Sequence, residues 1–167
     1  MKTIKTLIAA TTFIGAVSAG SVAFAVDEYN VSTGTTVSGL GVALRGDDAV
    51  TLATGMEVTP GRAEFTVEHD GAAYYFSSGE TMEQFAADPE RYMPAYGGFC
   101  AFGVAIGMKL DASNRFADIL DGKLYVFLNA AAFGKYEEDK AGTLEKAEAN
   151  WPTMHHLSVA EVNGAES

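Results

Sequence analysis

One cysteine, Cys100, is all the chain has in 167 residues, so no disulfide framework can form within it. Basic residues are scarce as well: 11 Lys+Arg stand against 22 Asp+Glu, a net charge of -11. That balance excludes nucleic acid and anionic membrane surfaces as natural partners, because both repel it, and it favours cationic ones. Beyond the first 25 residues no apolar run is long enough to cross a bilayer, so stable membrane insertion is not expected. The motifs of common catalysts are missing too. No glycine-rich phosphate loop lies between a strand and a helix, no histidine pair with a glutamate has the zinc-protease spacing, and no local Ser, His and acid set occurs. The chain does not read as an enzyme.

What is present begins with "MKTIKTLIAATTFIGAVSAGSVAFA": Lys2 and Lys5 ahead of an apolar stretch, then Ala23-Phe24-Ala25 as a small-x-small cleavage site. This is the pattern of a signal peptide over 1–25, and it places the mature protein in the periplasm or outside the cell. About 140 residues then remain, enough for one domain with a real core. Residues 26–40, rich in Gly, Ser and Thr, read as an arm, 41–156 as the domain, and 157–167 as a flexible tail. No internal repeat at solenoid spacing is evident.

Within the domain, "AEFTVEHDGAAYYF" alternates apolar and charged residues around Asp70-Gly71, which predicts a β-hairpin. Ser77 and Glu80 have capping-box spacing ahead of Met82, Phe85 and Ala86, predicting a helix that Asp88-Pro89 closes. "YGGFCAFGVAIG" is apolar on all sides and reads as a short buried helix or tight loop. "FADIL" and "KLYVFLN" around Asp121-Gly122 form a second hairpin, apolar on both faces and so expected to be central. Asn129 caps a following helix, Gly142 separates it from a last turn or two, and Trp151-Pro152 stops that element. The sum is an α+β fold of small antiparallel β-hairpins packed against short helices.

"VEHDGAAYYFSSGETMEQFAADPERY" resembles the YHS domain, from Ala63 to Tyr92. "YGGFCAFGVAIG", "DGKLYVFLN" and "ANWP" extend the resemblance to the exported branch of that family, from Gly41 to Pro152. The resemblance implies a small module that handles metal, often copper, through cysteines. This chain departs from the usual motif. The cysteine after the Tyr-Tyr-Phe run is Ser77, its helical companion is absent among Gly79 to Gln84, and the upstream cysteine has no counterpart in "GDDAVTLATGM".

Two functional readings follow. In the first, the protein holds or delivers a soft metal ion such as copper, with Cys100 as principal ligand and Met93, Met108, His155 or His156 completing the site, since thiolate, thioether and imidazole suit copper. In the second, the scaffold binds a small ligand or protein partner without metal, through a cleft lined by Tyr74, Tyr75, Tyr92 and Tyr96. Buried cysteine packs as a small hydrophobe as readily as it ligates, and His69, on the apolar face of the first hairpin, is expected to be structural. The export reading carries its own prediction: the intact mass of the secreted protein corresponds to a chain beginning at Val26, and a mass that retains Met1 to Ala25 overturns it.

Overall fold

The computed structural model describes residues 28–31 and 34–164. A two-residue strand β1 (Gly41–Val42) pairs in parallel with β3 (Ala72–Phe76), which pairs antiparallel with β2 (Arg62–His69) around the Asp70-Gly71 turn. Between β1 and β2 lie a tight turn over Ala43–Gly46 and helix α1 (Ala49–Gly55), and β3 is followed by helix α2 (Gly79–Ala87). A second half continues with a turn over Ala95–Gly98, helix α3 (Ala101–Ala105), a hairpin of β4 (Ser113–Leu120) and β5 (Lys123–Phe127), and helices α4 (Ala130–Glu138), α5 (Lys140–Met154) and α6 (Val159–Asn163). The α+β expectation holds.

The second half repeats the first, a repeat the sequence did not reveal. Each half runs turn, helix, hairpin, helix. Leu44, Arg45 and Gly46 have positive φ in the first turn, as Tyr96, Gly97 and Gly98 do in the second. Asp48 N–H donates to Thr59 O at 2.8 Å, and Cys100 N–H to Leu110 O at 2.9 Å. Val42 pairs in parallel with Ala73, and Pro94 bridges Leu124 in the same sense. Both hairpins turn at an Asp-Gly whose residues take positive φ, and both first strands carry a register shift, between Arg62 and Thr66 and between Ser113 and Ala117. Tyr74, Phe76 and Phe85 are buried aromatics at matching places in one half, as Tyr125, Phe127 and Tyr136 are in the other. The unit carries different side chains in each copy, so matching residue by residue finds little.

β5 joins the halves. Leu124 and Val126 enter the core of the first half, while Tyr125 and Phe127 enter the core of the second. The hairpin is therefore central between two packed layers, although its own sheet has only two strands.

Asp48 is the fully buried cap of α1. Its Oδ1 accepts from the N–H groups of Val50 (2.9 Å) and Thr51 (3.3 Å), and its Oδ2 from the Ser77 N–H (2.8 Å) and the hydroxyls of Ser77 and Thr81 (2.7 Å each). Burial pushes such a carboxyl up, but the hydrogen bonds from Ser77, Thr81 and Thr51 outweigh it and hold Asp48 below its ordinary value.

Four local expectations are corrected. Ser78, one residue later than Ser77, caps α2 by accepting from Thr81 N–H, because Ser77 is committed to Asp48. Gly142 lies in the first turn of α5, where its N–H donates to the capping Asp139, so the break falls at Asp139. Pro152 sits inside α5, which runs two residues further although the proline offers no N–H to the carbonyl four residues earlier. The segment read as a frayed tail forms α6, with a Ser158–Glu161 capping box and Asn163 paired to both backbone groups of Lys109. Residues 1–27, 32–33 and 165–167 lie outside the described residues, among them the segment read as a signal peptide and parts of the arm and tail.

Asp48→Ala orphans buried donors on three segments and is expected to lower the unfolding free energy by about 3 kcal/mol, read by urea denaturation at pH 7. Because the folded value lies below the unfolded one, Asp48's contribution is complete above the unfolded value and fades as pH falls through the folded one. The gap between wild type and Asp48→Asn therefore narrows on acidification below about pH 4. A gap that does not change there contradicts this account.

Candidate metal centre

The residues singled out by sequence do not converge. Cys100 caps α3 with its Sγ accepting the Gly103 N–H at 3.4 Å, is 0% exposed, and belongs to the second core with Phe99, Val104 and Phe127. Met93 instead packs against the first core, and Met108, half-buried, follows α3 with its N–H on Gly103 O. Among the described residues Cys100 joins no cluster of three His, Cys, Asp or Glu donors.

The four tyrosines are likewise divided. Tyr74 and Tyr92 are buried in the first core and Tyr96 in the second, so they fill space and line no common cleft. Burial, with Glu148 nearby accepting from its hydroxyl at 3.2 Å, pushes the Tyr96 phenol well up. Tyr75 lines a surface groove beside Arg45, Asp47 and Gly61. His69 packs edge-on against Phe85 with Nε2 3.5 Å from the Asp70 carboxylate.

The position at which the resemblance implies a cysteine is Ser77, and its surroundings do not fit a metal. Ser77 and Thr81 both aim their hydroxyl protons at Asp48 Oδ2, and no donor pair is left over to ligate. A hydrogen-bond latch occupies that place.

A different set does come together. His155 and His156 follow the end of α5, where the chain turns and the two rings lie side by side, tilted by 38° with centroids 3.5 Å apart. Glu28, brought in from the N-terminal arm, places Oε1 3.8 Å from His155 Nδ1 and in direct contact with His156 Nδ1. One donor atom from each of the three lies within 4.8 Å of the others, and all but His156 are partly buried. Ligands of a tetrahedral zinc ion stand about 3.3 Å apart, so three donor atoms within 4.8 Å of one another are candidates for three of its four positions. Imidazole and carboxylate are donors for Zn(II) or Cu(II), whereas Cu(I) prefers sulfur.

Lys109 fixes the turn that carries the histidines. It is 1% exposed, its Nζ donates to the carbonyls of His155 (2.9 Å) and Leu157 (2.5 Å), and it lies over the rings of Phe99 and Trp151. A cation at a helix C-terminus satisfies carbonyls that the helix leaves unpaired.

Residues 53–96 match the family model of the YHS domain. The match covers the end of α1, the hairpin of β2 and β3 and α2, so this part of the first half is similar to a YHS domain, and nearly all of the repeated half lies beyond the match. No curated protein and no solved structure matches the chain.

Of the residues named from sequence, His155 and His156 enter this cluster, while Cys100, Met93 and Met108 lie apart from it. Glu28 was missed: a lone acid near the start of the arm has no local pattern, and only the fold brings it to the histidines. The burial of Cys100 carries a prediction. In the native protein a thiol reagent modifies it slower by orders of magnitude than in the urea-unfolded chain. Equal rates overturn its placement in the core.

Proposed function

We propose that the protein is an exported metal-binding module that holds one divalent ion, Cu(II) or Zn(II), through Glu28, His155 and His156. The observation that carries this reading is the convergence of two adjacent imidazoles and a carboxylate from opposite ends of the chain. The YHS match supports it at the level of a possible metal-binding module, and the net charge of -11 favours cations. Holding or delivering copper is thus retained as the role, with the ligands moved from the core cysteine to the surface histidines. An ion there exchanges with solvent and with other chelators, as delivery requires, whereas Cys100 is closed off by its own core.

The test is titration of the protein beginning at Val26 with Cu(II) and with Zn(II) against a chromophoric chelator. One equivalent is expected to bind to wild type and equally to Cys100→Ala. The His155→Ala/His156→Ala double variant is expected to weaken binding by about two orders of magnitude or more. Wild type that takes up no stoichiometric metal, or a double variant that binds as wild type does, overturns the proposal.

A further inference from the structure

We infer that residues 28–31 form a strap whose seating on Gly97 and Gly41 assembles this centre, which makes Gly97 a positioning residue for a site it does not touch. What the strap helps to hold rests on the metal reading above; the seating itself does not.

The strap reaches both halves of the molecule. Asn30, itself buried, donates its N–H to Gly97 O at 2.8 Å and its Nδ2 to Gly98 O at 3.1 Å. A Cβ at Gly97 would overlap the carbonyl of Glu28 and stand 3.2 Å from the Cα of Tyr29. Val31 fills the space a Cβ at Gly41 would take, and Tyr29 packs on the first core with its hydroxyl donating to Asp70 at 3.3 Å.

The internal repeat shows why residue 97 is glycine. At the matching place in the first half, Arg45 has φ 53, and Gly97 has φ 60. The turn itself therefore accepts a side chain in this conformation. What differs is that a peptide lies against Gly97, so its missing side chain makes room for the strap.

The other half of the centre hangs from the same stretch of chain. Lys109 ties the carbonyls of His155 and Leu157, a short way beyond the turn that seats the strap. An ion bound by Glu28 and the two histidines joins the N-terminal strap to the end of α5 and fastens both to the second half.

The experiment pairs Zn(II) titration with amide hydrogen exchange at Asn30, in wild type, Gly97→Ala and Asn30→Ala, with exchange in the last read at Tyr29 and Val31. In wild type the Asn30 amide is expected to be protected, and more so with Zn(II). Gly97→Ala keeps all three ligands, yet is expected to lose that protection and to bind Zn(II) at least about 10-fold more weakly. Asn30→Ala removes one bond to Gly98 and is expected to move both readouts in the same direction by less; it decides the matter if Gly97→Ala does not fold. Wild-type zinc affinity in folded Gly97→Ala, or in Asn30→Ala if the former is unfolded, overturns the positioning role. Should wild type bind no zinc, the metal reading fails, and exchange still judges the strap: an unprotected Asn30 amide in wild type, or unchanged protection in Gly97→Ala, overturns it.

Discussion

Strand β5 is the element on which the rest of the molecule leans. Its alternate side chains serve two different cores, Leu124 and Val126 one, Tyr125 and Phe127 the other. A strand buried on both faces is normal in the middle of a large parallel sheet; here a two-stranded hairpin achieves it by lying between two packed halves. Each of those side chains is worth about 1.5–3 kcal/mol when buried, so the pair given to the first core is comparable to a sizeable part of a small domain's net stability. The first half alone would be left with an open core where Leu124 and Val126 now sit. The segment that matches the YHS family is thus a recognisable pattern inside a larger cooperative unit.

The two halves solve one local problem in different ways. The head of the helix after each left-handed turn must satisfy its first N–H groups inside a core. In the first half Asp48 does so, with Ser77 and Thr81 donating to the carboxylate from the hairpin and from α2. In the second half Cys100 takes the same place, and the positions matching Ser77 and Thr81, just before and three after the helix cap, are Leu128 and Ala132. A carboxylate needs donors around it, and a thiol tolerates apolar neighbours, so the identity of the cap and of its surroundings changes together. The lone cysteine, the most conspicuous residue in the sequence, is explained by this exchange of a polar latch for apolar packing.

That contrast marks what was legible in the sequence. Both hairpins, the Asp-Gly turns and the Asn129 cap follow from short-range rules that depend on neighbouring residues alone. The errors arise where a distant group claims a local one. Ser77 has capping spacing, but Asp48, 29 residues earlier, takes its hydroxyl. Pro152 reads as a stop, yet α5 is held past it, with Lys109 on the carbonyls beyond its end. The repeat went unseen because its two copies share backbone geometry and burial while their side chains diverge. Tyrosines 74, 75, 92 and 96 look like a cleft because aromatic clusters mark both cores and pockets, and only burial tells which.

The metal-capable cluster belongs to the class of features that a linear reading cannot assemble. Two adjacent histidines in a strand would point to opposite faces; in a helix they would diverge by about 100°. They lie side by side here because the chain leaves α5 in a turn, and the turn is held by a buried lysine that binds carbonyls on both sides of His156. The third donor, Glu28, arrives from the far end of the chain, carried by a segment that the missing side chain at Gly97 admits. Neither holder touches the donor atoms, and both belong to the half of the protein outside the family match. The geometry of the centre is therefore a property of the repeated half and of how the chain's two ends are laid against it.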